Sequence, residues 1–250
     1  MAISKRRYKE DFMPHENKIM ILIPTYNEEK SIGQVIRGVK KSLPQADVVV
    51  VDESSDSTEE IARKLGVIVL KVPPSLEIAG GVETGFSFAD LRGYDMVVRV
   101  DGDGQHNPDQ IPRLMQPILD GEADVTIGSR YMRAGDYKAS LPRTLTTKLF
   151  SLIVSAIIRQ KITDATSGFQ MVNRRVIEFL SRSYFFDYSE VEAIVLLKKA
   201  GFRILEIPVS MKKRAQGQSS FTFVRAFYFI FTGILLLLIS LLKGEPLRRD

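Results

Sequence analysis

The stretch Asp95-Met-Val-Val-Arg-Val-Asp101-Gly102-Asp103-Gly104-Gln105 runs from a β-branched apolar segment into two carboxylates two residues apart. The apolar part reads as a buried strand. On an extended chain, residues two apart share a face, so Asp101 and Asp103 would crowd together. Such a pair needs a counter-charge, and a hard divalent cation with oxygen ligands supplies one. Gln105 adds a neutral oxygen, and glycines at 102 and 104 let a ligand approach the backbone. A cation held there can bridge the phosphates of a nucleotide diphosphate and stabilise it as a leaving group. Taken alone, an Asp-x-Asp pair also arises in solvated turns.

Outward from this stretch the pattern repeats. Ile19–Pro24, Asp47–Asp52, Val67–Val72 and Asp124–Gly128 read as further strands. Helical patterns span Glu29–Leu43 and Ser57–Leu65, the latter with Asp56 or Ser57 as N-cap. Strands alternating with helices imply right-handed βαβ units and a mostly parallel sheet in an α/β fold. In such folds functional residues gather at the carboxyl ends of strands, where Asp52 and Asp101 both lie. A carboxylate at Asp52 can accept hydrogen bonds from a base or ribose.

Composition narrows the classes. The 250 residues suffice for one α/β domain. With no cysteine, a disulfide framework, a cysteine nucleophile and thiolate zinc sites are excluded. Two histidines, His15 and His106, cannot make a multi-histidine metal centre in one chain. The net charge, 35 − 30 = +5, suits anionic partners such as phosphates or acidic lipid headgroups. The basic residues are dispersed rather than interleaved with aromatics, which argues against nucleic acid. No G-x-G-x-x-G follows the first strand, which argues against a dinucleotide oxidoreductase. Residues 1–17 read as a basic arm without the apolar region of a secretory signal.

Two apolar stretches stand apart. Ala226–Leu242 is seventeen residues without a charge. As a helix it spans roughly 25 Å, slightly short of a hydrocarbon core of about 30 Å. Membrane insertion is the expectation, a buried helix or an oligomer contact the alternative. In Leu145–Ile158, Leu145, Leu149, Leu152, Ile153, Ala156 and Ile157 share a helical face bracketed by Arg143, Lys148, Arg159 and Lys161. Core packing and a helix lying in a membrane interface both fit it.

Several segments taken together carry a resemblance. Pro24-Thr-Tyr26-Asn-Glu28 follows the first strand, and Val51-Asp52-Glu53-Ser-Ser-Asp-Ser57 the second. Then come the 101–108 segment, Gly128-Ser-Arg130-Tyr131, Asp164-Ala-Thr-Ser-Gly-Phe169, Glu206-Ile-Pro208 and Arg214-Ala-Gln-Gly-Gln-Ser219. In this order they resemble the family 2 glycosyltransferases of GT-A fold, and within them the polyprenyl-phosphate glycosyltransferases of the dolichol-phosphate mannose synthase group. The resemblance covers roughly 18–221. It implies a Rossmann-like, mostly parallel sheet flanked by helices; the apolar run then makes 222–250 a hydrophobic, membrane-associated C-terminal helix and basic tail. It further implies inverting transfer of a sugar from a UDP- or GDP-sugar to a polyprenyl phosphate such as dolichyl or undecaprenyl phosphate.

By the same resemblance Pro24, Tyr26, Glu28, Asp52, Asp101 and Gly102 bind the donor. Asp101, Asp103 and Gln105 hold Mg2+ or Mn2+. Arg130, Arg143, Thr147 and Arg214 clasp the acceptor phosphate, in keeping with the match of arginine forks to phosphate oxygens. Asp101, Asp103, Arg130 and Asp164 carry the chemistry. Asp164 and Glu190, and more weakly Glu192, are reserve bases if the acceptor is a sugar hydroxyl. The catalytic domain is expected at the cytoplasmic face of a membrane, with membrane lipid as a partner and homo-oligomers through the apolar C-terminal helix. Departures from the family pattern are Glu53 in the second motif, Ser220 after Ser219, and a 78–85 loop lacking the usual lysine and asparagine. A glycan-elongating transferase of the same family and a non-catalytic nucleotide-sugar-binding subunit are the competing readings.

Overall fold

In the computed structural model the described residues are 17–73, 77–132, 141–182 and 190–211. Most of the basic arm, Arg214 and the 226–242 segment lie outside them. The first half alternates strand and helix: β1 (Ile19–Thr25), α1 (Ile32–Ser42), β2 (Asp47–Asp52), α2 (Thr58–Lys64), β3 (Ile68–Lys71), α3 (Glu77–Leu91) and β4 (Met96–Arg99). The second continues with α4 (Ile111–Leu119), β5 (Val125–Ser129), α5 (Leu141–Ile158), β6 (Gln170–Asn173), α6 (Arg174–Arg182), α7 (Glu190–Lys199) and β7 (Ile204–Pro208).

The strands form one seven-stranded sheet in the order β3-β2-β1-β4-β6-β5-β7. All neighbours pair in parallel except β6, which runs antiparallel to both β4 and β5. Side chains alternate across the sheet with period two. Met20, Leu22, Val49 and Val51 enter one core, shared with Ala89 of α3, Phe150 and Val154 of α5, and Ile194 and Val195 of α7. Ile19, Ile21, Ile23, Val48 and Val50 enter the other, against Ile32, Val35, Ile36 and Val39 of α1 and Ile111 and Leu114 of α4. Burial on both faces explains why these strands read as continuous apolar runs. Ser57 holds the N-cap position of α2 without a side-chain bond, and Asp56 Oδ1, one residue earlier, accepts from Thr58 N at 3.0 Å.

The 78–85 segment is not a loop. It lies within α3, although it holds three glycines, each costing about 1 kcal/mol in a helix interior. Packing supplies the compensation. A Cβ on Gly85 would lie 2.3 Å from Leu22 Cδ1, and one on Gly81 3.0 Å from Glu53 Oε1. The glycines let α3 settle directly on β1 and β2.

Because β6 alone is reversed, the carboxyl ends of β1, β2, β4, β5 and β7 and the amino end of β6 lie along one edge of the sheet. Every described motif falls on that edge.

Candidate active site

The loop after β1 is stitched to the loop after β2. Asn27 N donates to Ser54 Oγ at 2.7 Å, and Ser55 N donates back to Asn27 Oδ1 at 3.0 Å. Glu28 N donates to Thr58 Oγ1 at 2.9 Å. Asn27 adopts φ 55, a conformation asparagine tolerates better than most residues. These bonds make one rigid wall from two loops. Tyr26 is exposed on it, whereas Pro24 is buried within β1.

Asp52 departs from its expected role. It is 0% exposed and its oxygens are taken, accepting from Thr25 Oγ1 at 2.8 Å, Ser54 Oγ at 2.6 Å and Lys71 Nζ at 2.7 Å. Burial opposes its ionisation, but the Lys71 ammonium and the two hydroxyls outweigh that and hold its carboxyl below the ordinary value. It organises the wall from beneath. Glu53 is also buried, facing Gly81 of α3.

The carboxylate centre sits in a turn after β4, not on a strand, so the shared-face argument for Asp101 and Asp103 does not apply. Gly104 has φ +78, which sharpens the turn, and Asp103 Oδ1 accepts from Gln105 N at 3.0 Å. A Cβ on Gly102 would lie 2.7 Å from Thr25 Cγ2, so this glycine lets the turn pack on the first loop.

Asp101 is held on three sides. Arg99 Nε stands 3.4 Å from its Oδ1 and His106 Nε2 3.5 Å from its Oδ2. Below, a Cβ on Gly168 would meet both oxygens at 3.1 Å. The Asp101 N–H donates to His106 Nδ1 at 3.0 Å, so the ring proton of a neutral His106 sits on Nε2, facing the carboxylate. The ring stacks on Phe169 with centroids 4.8 Å apart. Burial lowers the His106 pKa against the pull of Asp101 and Asp103. For Asp101, burial is outweighed by His106, Arg99 and Arg130, and its pKa lies below the ordinary value. Arg99 also pairs with Glu190 Oε1 of α7 at 2.9 Å.

The segments at 128–131 and 164–169 converge on a buried fork. Arg130 Nε and Nη2 donate to the two oxygens of Asp164 at 2.6 and 2.7 Å, and Arg130 N donates to Oδ2 at 3.0 Å. Arg130 Nη2 reaches Thr166 Oγ1 at 2.9 Å, which lies 3.0 Å from Thr147 Oγ1. Arg143 precedes Thr147 by four residues on α5, on the same side of the helix. Glu206 of β7 fixes the loop, accepting from Thr163 N and Asp164 N, each at 2.8 Å. Burial raises the Glu206 pKa against those bonds. Ser167 Oγ donates to Gly128 O at 2.7 Å, tying the Ser-Gly-Phe turn to β5.

Asp164, 0% exposed with both oxygens on Arg130, is placed to orient that arginine rather than to take a proton from substrate. Glu192 is buried in α7, and Glu190 lies at the site but is engaged by Arg99. Sequence reasoning missed Arg99, Lys71, Thr166 and the role of His106. Arg99 had a signal, a charge inside a buried strand run, which demands a partner. His106 had only its spacing from Asp101.

Among the described residues no group of three or more His, Asp or Glu could hold a metal alone. The donor set still fits a divalent cation. Asp101, Asp103 and Gln105 offer oxygens of the type that Mg2+ and Mn2+ take, the remaining positions normally going to water and substrate phosphates.

A family model described as Glycosyl transferase family 2 matches residues 20–180. An undecaprenyl-phosphate mannosyltransferase of Micrococcus luteus is 29% identical over 81% of this chain and 86% of its own length. A UDP-N-acetylglucosamine–dolichyl-phosphate N-acetylglucosaminyltransferase of Methanococcus voltae is 29% identical over 76% of this chain and 84% of its own. Glucosyl-3-phosphoglycerate synthase from Mycobacterium tuberculosis, solved with Mn2+, UDP and its product, shares the fold with a TM-score of 0.65 at 19% identity, over 90% of this chain and 80% of that one. The matched span takes in both loops of the wall, the Asp101 turn and the Arg130–Asp164 fork, and the chain belongs to the family 2 glycosyltransferases.

Proposed function

We propose that this glycosyltransferase moves a sugar, with inversion, from a nucleotide-diphosphate sugar to a polyprenyl phosphate. The observation that carries the reading is the junction of two unlike centres. The carboxylate turn at 101–105 abuts, through Gly168, the loop that holds Arg130 beside Thr147 and Thr166. One centre suits a diphosphate with a cation, the other a phosphate. The Micrococcus and Methanococcus relatives, both named for prenyl-phosphate acceptors, support it.

An oxygen of the acceptor phosphate attacks the anomeric carbon, a new C–O bond forms on the opposite face, and the bond to the diphosphate breaks. The nucleoside diphosphate departs with the electron pair. Asp101, Asp103 and Gln105 would hold a divalent cation, which would supply positive charge against the departing diphosphate. The 26–28 and 53–58 loops form the wall for the nucleoside, with Tyr26 presented on it. Arg130, Arg143 and Thr147 position the acceptor. A phosphate monoester has its second pKa near ~6 and is largely ionised at neutral pH, so no strong base is required. Asp164 keeps Arg130 oriented. Domain 18–221 performs the transfer at the cytoplasmic face of a membrane, and 222–250 attaches it.

The test is a transfer assay with purified protein, short-chain polyprenyl phosphate, Mg2+ or Mn2+ and a panel of radiolabelled nucleotide sugars. Label is expected in the organic phase with one donor and absent with Asp103→Asn. No organic-phase label from any donor, with transfer to a glycan hydroxyl instead, would replace this reading by glycan elongation.

A further inference from the structure

Arg99 closes β4 behind Met96, Val97 and Val98, all three buried. Its own side chain is 14% exposed, and a charge in such a place needs a partner. Two carboxylates share it unequally. Glu190 Oε1 of α7 stands 2.9 Å from Arg99 Nη2, whereas Asp101 Oδ1 stands 3.4 Å from Nε. Among the described residues that Nε is a buried donor without a hydrogen-bond partner. Glu190 therefore anchors the guanidinium, which leans on Asp101 through charge alone. Its position is fixed from below as well, since a Cβ on Gly168 would lie 3.1 Å from Arg99 Nη2.

The consequence is electrostatic. Asp101 and Asp103 attract a divalent cation, and a guanidinium beside Asp101 opposes it. The same guanidinium favours a phosphate. Unit charges about 4 Å apart change an equilibrium roughly fivefold even at the dielectric of water, and more in a part-buried cleft. Two carboxylates and an amide, one of the carboxylates already facing Arg99, are a meagre cation site by themselves. A diphosphate reverses the balance by adding oxygen ligands and negative charge at the turn.

We propose that Arg99, anchored by Glu190, is a resident counter-ion of the carboxylate turn, so that the cation enters with the nucleotide diphosphate rather than before it. The inference rests on the donor reading given above and adds to it an order of binding and the two residues that set it. Arg99 opposes the free cation and favours the diphosphate. Glu190 damps both effects.

Full-length parent, Arg99→Met and Glu190→Gln are compared in two measurements without turnover. Electron paramagnetic resonance gives the affinity for Mn2+ without nucleotide. Calorimetry with UDP and with GDP, in EDTA, gives the affinity for metal-free nucleotide. Arg99→Met should tighten Mn2+ about tenfold and weaken the nucleotide several-fold. Glu190→Gln should shift both in the other direction. Arg99→Lys, which keeps the charge, should stay near the parent. A merely structural role predicts loss in both measurements. Weakening of both ligands in an Arg99→Met protein that folds like the parent by circular dichroism would therefore overturn the proposal, and so would no change in either. Should Arg99→Met fail to fold, the opposed shifts in Glu190→Gln decide alone. Mn2+ held by the parent as tightly without nucleotide as with it would overturn the order of binding. A parent that binds neither UDP nor GDP, even with Mn2+, would overturn the donor reading along with this proposal, whereas the other adverse results leave that reading standing.

Discussion

Removing Asp164 should destabilise the protein through the charge it leaves behind. Arg130 is 5% exposed and Asp164 0%, so water compensates little when either partner is removed. Asp164→Ala deletes both fork contacts and the bond to Arg130 N, and leaves a buried guanidinium with Thr166 as a remaining partner. Breaking a buried pair from one side costs about 3–5 kcal/mol, and the bond to Thr166 places this case toward the lower end. Arg130→Leu strands the carboxylate and should cost a similar amount. The double variant Arg130→Leu/Asp164→Ala buries no unpaired charge, so its loss should fall short of the sum by roughly 3 kcal/mol, the upper range for contacting residues. Urea unfolding of the full-length protein followed by circular dichroism measures all three. Additivity within ~0.5 kcal/mol would refute the reasoning, since two residues that do not interact behave that way.

His106→Ala removes the acceptor for the Asp101 N–H, and Mn2+ binding followed by electron paramagnetic resonance should weaken about tenfold, the scale of a lost supporting contact at a metal site. His106→Asn, which keeps an acceptor, should recover most of it, and equal loss in both would count against a positioning role. Gly168→Ala places a methyl 3.1 Å from Arg99 Nη2 and both Asp101 oxygens, so transfer should fall sharply in kcat while the unfolding midpoint moves little. Asp124 is buried, but Arg203 and Asn173 outweigh that and hold its pKa at about 2, below the ordinary 3.8. Its stabilisation is therefore fully present above pH ~4 and lost as pH falls toward ~2. The Tm gap between the parent and Asp124→Asn should close over that interval, and a gap constant down to the lowest pH would contradict it.

What the sequence disclosed follows from what its patterns encode. β1, β2, β4 and β5 are doubly buried, so Val and Ile runs announced them to within a few residues. β6 and β7 were not anticipated as strands, because Gln170–Asn173 and Ile204–Pro208 are short and carry polar residues. α3 was hidden by glycines whose purpose, close approach to Leu22 and Glu53, is visible only once the layers are stacked. At the site, the motifs named the loops but not the partnerships within them. Asp52 looked like a ligand-facing carboxylate because strand-end position carries no information on who occupies its oxygens. Arg130 and Asp164, thirty-four residues apart, were both marked, yet only the fold shows that one orients the other.

The reversal of β6 divides labour along the chain. The wall and the carboxylate turn come from residues before 107, and the phosphate-side fork from residues after 128. At the carboxylate turn the two contributions meet where Gly168 lies under Asp101 and Arg99, Phe169 stacks on His106 and Glu190 pairs with Arg99. Exchange of the later portion between relatives, with Gly168, Phe169 and Glu190 kept, should therefore yield chimaeras that inherit donor choice from one parent and acceptor choice from the other.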